Sequence, residues 1–266
     1  MSSSFFSHSI SPANLIRGET AWEQAKLILP SICQKPLLLG RSFSTRKIRE
    51  KLLKELIQIN INVIASELDN DCCEKDLKKI NKIATTNKCD CIIAAGGGKV
   101  LDAGKLIAER LSIPCITIPL SASTCAGWTA LSNIYSEGGA FRRDVTLRKC
   151  PDLLIFDYKF IRNAPPRTLA SGMADALAKW YEASLTSKES NDGLIQQAVQ
   201  MARVLRDQIL LDGFEAFTNN ETKAWEIVAE GCALTAGLIG GIGGARCRTA
   251  VAHPLHNGLT QLKFKN

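Results

Sequence analysis

The sequence has no Cys-x-x-Cys pair among its ten cysteines, which removes the usual spacing of a structural zinc site. It has no unbroken apolar run of membrane-span length. Ala233 to Ile242 comes nearest, and glycines interrupt it. The start, Met1-Ser2-Ser3-Ser4-Phe5-Phe6, lacks the basic residues and long apolar core of a secretory signal. The cysteines are therefore read as reduced, mostly buried thiols of a cytoplasmic protein. Aromatic residues are few, at 6%, so the basic residues lack the stacking partners of a base-binding surface. The net charge of +7 is thus read without nucleic acid and without a membrane. Its densest group, Arg41, Arg46, Lys47, Arg49, Lys51 and Lys54, is read as the solvated face of an amphipathic helix. Internal repeats, low-complexity linkers and long charge blocks are missing too.

What is present is an alternation of strand and helix signals. Leu37–Gly40, Ile61–Ile64, Cys91–Ala95 and Ile113–Pro119 are apolar runs of strand length. Helical spacing separates them over Arg46–Gln58, Asp76–Thr86 and the stretch through Leu101, Leu106, Ile107 and Leu111. Such alternation predicts a parallel sheet covered on both faces. Ligands gather at the carboxyl ends of such strands, where Gly40, Gly96 and Ser121 fall. A small hairpin is expected around Ser132–Tyr135 and beyond Gly138-Gly139, and Leu153–Phe156 is expected to be the last strand. From Pro165-Pro166 onward the pattern is helical: Pro166 to about Leu185, Asp192–Leu211, Asn220–Ile239, and Gly244 to the end. An α/β domain over residues 1–160 is therefore expected to precede an all-helical one over 161–266.

Two places carry chemistry. Three glycines, Gly96-Gly97-Gly98, follow the third strand, and a helix then opens with Asp102 in its first turn. Consecutive glycines let the backbone turn sharply and approach a ligand. The helix N-terminus behind them offers free N–H groups to a pyrophosphate, and Lys99 adds a cation. The spacing is neither G-x-G-x-x-G nor a P-loop, and a tight turn without a ligand is the alternative. The second place draws on a scarce residue: of three histidines, His253 and His256 lie one helical turn apart. Pro254 requires an early helical turn or a kink there. Imidazole is a common ligand for zinc and suits iron(II); two hydrogen-bonded histidines at a helix start are the alternative. Asp175, among small and apolar neighbours, needs a cation, a metal or hydrogen bonds if buried. A first-turn aspartate on the helix dipole would also explain it.

Together these motifs resemble the glycerol dehydrogenase group of the metal-dependent ("iron-containing") alcohol dehydrogenase family. The resemblance runs from about Pro12 to Leu262. Its marks are Gly96-Gly97-Gly98-Lys99-Val100-Leu101-Asp102, then Ala122-Ser123-Thr124 with Ala130-Leu131-Ser132-Asn133-Ile134-Tyr135, then Gly172-Met173-Ala174-Asp175-Ala176-Leu177-Ala178, then His253 and His256-Asn257-Gly258-Leu259-Thr260. It implies a Rossmann-like dinucleotide domain followed by a helical, dehydroquinate synthase-like metal domain. It implies an oxidoreductase acting on CH–OH groups of a small alcohol, aldehyde or 2-oxo acid with NAD or NADP and Zn²⁺ or Fe²⁺, and it leaves room for a homo-oligomer. Gly97, Gly98, Lys99, Asp102, Ser123, Thr129, Leu131 and Tyr135 match dinucleotide-holding positions. Asp175 and His253 match two of three protein metal ligands. His256 matches a nearby histidine suited to relay a proton.

Four departures from the family pattern shape the expectation. Arg41 stands where an acid would bind the ribose hydroxyls of NAD, so NADP(H) is expected instead. Cys125 stands where an aspartate binds substrate hydroxyls, with Trp128 beside it, so a less hydrated substrate than glycerol is expected. Leu120 replaces a threonine that contacts the nucleotide, at a cost of about 1 kcal/mol. The chain ends before the second metal-binding histidine, so a truncated helical domain is expected, with apolar surface exposed on Ala233–Ile242. A non-catalytic nucleotide-binding remnant is one alternative. A sugar-phosphate dehydrogenase or 3-dehydroquinate synthase-like enzyme is another, which would need Arg142, Arg143 and Arg246 near the metal.

Overall fold

Runs of five or six mostly apolar residues, buried end to end, build the middle of the molecule. β2 (Pro36–Gly40), β4 (Cys91–Gly96), β5 (Cys115–Pro119) and β8 (Leu153–Asp157) are buried throughout. A strand covered on both faces has no need of polar alternation. The computed structural model describes residues 7–187, 189–244 and 251–262. With β1 (Asn14–Gly18) and β3 (Ile64–Glu67), these strands form a six-stranded sheet in the order β1-β8-β5-β4-β2-β3, parallel throughout. β2 lies between β3 and β4, so the chain reverses its direction of travel across the sheet there. The carboxyl ends of β2 and β4 flank that switch point, the usual ligand crevice of such sheets.

Helices α1 (Ala21–Ile32), α2 (Arg46–Gln58), α3 (Glu74–Thr86) and α4 (Gly98–Leu111) cover the sheet. The expected hairpin forms from β6 (Leu131–Tyr135) and β7 (Phe141–Thr146), antiparallel. After the short α5 (Tyr158–Arg162), the chain is helical from Pro166: α6 (Pro166–Thr186), α7 (Gly193–Thr218), α8 (Lys223–Glu230), α9 (Ala236–Gly243) and α10 (Ala252–Leu259). A π-helical turn, Gly231–Thr235, joins α8 to α9.

Several expectations need correction. The second strand is Ile64–Glu67, because Ile61 turns inward to close α2 instead of pairing. α4 opens at Gly98, so Asp102 sits in its second turn. Arg49 is not on a solvated face: it is buried against Gly40 and paired with Glu67. The apolar stretch Ala233–Ile242 is not exposed. Ala233, Leu234, Ala236 and Ile239 are buried, and Gly237 lets α9 press on the Trp128 ring. Lys223–Gly243 is long and apolar enough to cross a membrane by length and composition, yet 56% of its most apolar window is buried. Large exposed apolar residues are found elsewhere, among them Leu27 and Phe43 in the sheet half and Leu185, Leu211 and Phe214 on α6 and α7. Arg246 and the tail from Lys263 lie outside the described residues. Of the expected last helix, Ala252–Leu259 is described.

Candidate active site

The glycine turn is a cradle shaped by what its glycines leave out. A Cβ on Gly97 would meet nothing within 4 Å, so that backbone is open to a ligand. A Cβ on Gly98 would stand 3.0 Å from the Thr124 methyl, so glycine there lets the loop after β5 close over the helix start. Gly97 is the N-cap of α4 with extended backbone, and the first N–H groups of the helix have no intrahelical acceptor. A Cβ on Gly104 would lie 2.4 Å from the Ala94 Cβ, so α4 packs directly on β4 and aims its N-terminus at the crevice.

The predicted cofactor residues divide around this cradle. Lys99 lies beside it, held by a salt bridge to buried Asp71 and stacked on the Tyr135 ring at 5.2 Å. Ser123 shares a hydrogen bond of 3.0 Å with Ser121. Arg41 follows the last residue of β2 and is half-buried. Asp102, Thr129 and Leu131 are brought together behind the cradle by Lys105, which the sequence reading missed. Lys105 Nζ lies 3.1 Å from Asp102 Oδ1 and donates to the Thr129 carbonyl at 3.0 Å and to the Leu131 carbonyl. The Asn133 N–H donates to Asp102 Oδ2 at 3.2 Å, and Ser132 Oγ donates to the Asp102 carbonyl at 3.0 Å. Burial pushes the Asp102 pKa up, against the pull of Lys105. This network staples α4 to the hairpin, with Asp102 buried within it beside Lys105.

One short loop links the cradle to the helical half. Ala122 precedes Thr124 by two residues, and its carbonyl lies so close to Gly172 that a Cβ there would stand 2.0 Å away. Asp175 follows Gly172 by one helical turn on α6. His253, in the first turn of α10, places Nε2 3.5 Å from Asp175 Oδ1. Pro254 sits next in that turn, as its ring requires. Burial alone would raise the Asp175 pKa; the Lys179 charge and His253 outweigh it and hold the carboxyl at about 2. Buried Cys125 lies near enough for Asp175 and Lys179 to act on its thiol, and burial pushes its pKa up. Cys232 of the π turn, raised by burial, feels Asp175 and Cys125 in the same way. His256 is exposed, with Nδ1 3.4 Å from Asn257 Oδ1.

A second missed residue is Glu182. It is buried, and its Oε2 lies 2.6 Å from His253 Nδ1. Its Oε1 accepts from the N–H groups of Val251 and His253 at 3.1 Å each. Burial would raise its pKa, and these hydrogen bonds bring it down. A signal existed: Asp175, Lys179 and Glu182 share one face of a helix whose other charged residue is Arg167. At its other end, α10 is pinned to the hairpin, where Thr260 Oγ1 accepts from the Phe141 N–H at 2.9 Å.

Known proteins share this fold and much of this sequence. The family model described as iron-containing alcohol dehydrogenase matches residues 12–158. An uncharacterized oxidoreductase of Synechocystis sp. is 46% identical over 259 residues, covering 96% of this chain and 66% of that protein. A glycerol dehydrogenase of Escherichia coli O6:H1 is 31% identical over 261 residues, covering 95% of this chain and 70% of that protein. The crystal structure of glycerol dehydrogenase from Schizosaccharomyces pombe superposes with a TM-score of 0.83 at 26% identity, covering 98% of this chain and 68% of that one. The chain therefore spans about two thirds of the length of these relatives. With its sheet half matched by the family model and nearly its whole length matched by such relatives, the chain belongs to the iron-containing alcohol dehydrogenase family.

Proposed function

We propose that this chain is a cytoplasmic, NAD(P)-linked, metal-dependent dehydrogenase of a small alcohol and its carbonyl partner. In this reading residues 1–160 hold the dinucleotide and residues 161–266 contribute the metal site. The observation that carries it is the contact of the Ala122 carbonyl with Gly172, which joins the glycine cradle to the Asp175–His253 pair.

The residues fit both groups. The open backbone at Gly97 and the unpaired N–H groups of α4 suit a pyrophosphate. For the metal, an Nε2–Oδ1 separation of 3.5 Å suits two donors on one tetrahedral ion with bonds of about 2.0–2.2 Å. A carboxylate held near pH 2 is ionised and ready to ligate at neutral pH. When bound, the ion would act as a Lewis acid on the alcohol oxygen and the nicotinamide would take up the hydride.

The chain's own groups do the rest. Gly97 and Gly98 present N–H groups to the pyrophosphate, while Asp71 fixes the Lys99 ammonium beside it. Buried Cys125 and Trp128 form an apolar wall that excludes water and disfavours a heavily hydroxylated substrate. Exposed His256 carries the alcohol proton outward. Arg41 selects NADP(H). The acid at the end of β3, Glu67, is neutralised by Arg49 with Arg46 nearby, so the local field favours a 2′-phosphate. The Arg41→Asp change is expected to shift the NADPH-to-NADH affinity ratio toward NADH by about 10–100-fold, the worth of a charge-assisted hydrogen bond. Fluorescence titration of both dinucleotides measures it, and a wild-type preference for NADH would sink the assignment.

A second reading has one observation behind it. Among the described residues, no group of three or more histidine, cysteine or acidic side chains is placed to hold a metal ion. A dinucleotide-binding chain without turnover would look like this. Metal content and alcohol oxidation, assayed with NADP and Zn²⁺ or Fe²⁺ together, separate the two: dinucleotide binding without metal or turnover leaves the second reading. The sugar-phosphate and dehydroquinate synthase alternatives gain nothing, since Arg143 is on the hairpin and paired with Glu74.

A further inference from the structure

We infer that Glu182 is the positioning residue of the candidate metal centre: it locks His253 in the Nδ1–H tautomer and turns the Nε2 lone pair toward Asp175.

The argument starts from donors and acceptors. An ionised carboxylate only accepts hydrogen bonds. Glu182 spends Oε1 on two backbone N–H groups, those of Val251 and His253 at 3.1 Å each. Oε2 then stands 2.6 Å from Nδ1 of the His253 ring. With nothing left to donate, Glu182 requires the proton of a neutral imidazole to sit on Nδ1. Nε2 is therefore the free lone pair, and it lies 3.5 Å from Asp175 Oδ1. Asp175 and Glu182 project from the same face of α6 two turns apart, so one rigid helix fixes both the facing carboxylate and the group that orients its partner. The two backbone hydrogen bonds also anchor the entry of α10, which fixes the ring's position as well as its tautomer. A ligating histidine with its second nitrogen bonded to a carboxylate is more basic and better aimed than a free one. The metal consequence rests on the dehydrogenase reading above; the tautomer does not.

The test uses Glu182→Gln in the full chain. The two backbone N–H groups hold the Gln carbonyl oxygen where Oε1 was, which leaves the amide NH₂ facing Nδ1. That donor reverses the preference and moves the proton to Nε2. With only three histidines in the sequence, ¹⁵N-histidine labelling and long-range ¹H–¹⁵N correlation above pH 8 read the tautomer directly. The wild-type chain is expected to show His253 in the Nδ1–H form and the Gln variant in the Nε2–H form, with closely similar thermal midpoints. Zn²⁺ affinity, measured by chelator competition, is expected to fall about 10–100-fold in the variant. A wild-type His253 in the Nε2–H form overturns the inference without any variant. So does a variant that keeps both tautomer and affinity. If the wild type binds no Zn²⁺ while His253 is Nδ1–H, the positioning role stands and the dehydrogenase reading loses its metal.

Discussion

Two acid–base pairs, one in each half of the molecule, are held in opposite ways. Asp102 and Lys105 come from one helix, and their side chains are 7% and 2% exposed. Each is further saturated by the hairpin backbone. Asp175 and His253 come from segments far apart in sequence, and their side chains are 28% and 31% exposed. The first pair is closed, and its charges face each other and the hairpin backbone. The second is open on one side, with donor atoms spaced for a third participant. Burial with complete satisfaction therefore marks the structural pair, and partial exposure with one flank fixed by Glu182 marks the chemical one.

The largest effect should come from opening the closed pair. Lys105→Ala leaves the Asp102 carboxylate buried and unpaired, and should cost about 3–5 kcal/mol in denaturant unfolding. A loss below about 1 kcal/mol, the worth of an exposed pair, would erase the contrast. Next comes the joint between the halves. Gly172→Ala drives a Cβ to within 2.0 Å of the Ala122 carbonyl. Such overpacking costs about 1–3 kcal/mol, and alcohol turnover should fall further than this stability loss explains. Unchanged turnover would mean that the cradle and the donor pair work independently.

The smallest effect sharpens the comparison by its sign. In metal-free protein the folded Asp175 carboxyl, at about 2, lies below its unfolded value of about 3.9. Its contribution is present above pH ~4 and is lost as pH falls through about 2, a change of about 1–2 kcal/mol after solvent screening. Asp102 is raised by burial, so it opposes folding above its unfolded value and that penalty fades on acidification. Asp175→Asn should therefore flatten the acid limb of the stability curve between pH 4 and 2. A variant curve parallel to wild type would show that no stability is stored in the open pair.

The sequence made the central strands legible because burial on both faces writes continuous apolar runs, as in Leu37-Leu38-Leu39 and Ile92-Ile93. It made the cradle legible because glycines mark backbone that must stay bare. It did not show β1, a five-residue edge strand with polar Asn14 and Arg17, nor α1, which carries Pro30 inside it. Lys105 and Glu182 escaped for another reason. Each looks like an ordinary solvated charge until the chain brings its acceptor or donor from elsewhere: the carbonyls of Thr129 and Leu131 for one, the Val251–His253 segment for the other. Arg49 misled for the same reason, since the bare backbone of Gly40 takes it in.

The edge strand has a further consequence, in time. Asn14 pairs with Leu153, its neighbour in the sheet and a latecomer in the chain. At a synthesis rate of ~5–20 residues per second, β1 waits about seven to thirty seconds for its partner to be made. During that wait its ladder groups are open to any passing strand, and Asn14, Arg17 and the positive-φ Gly18 make it a poor template for one.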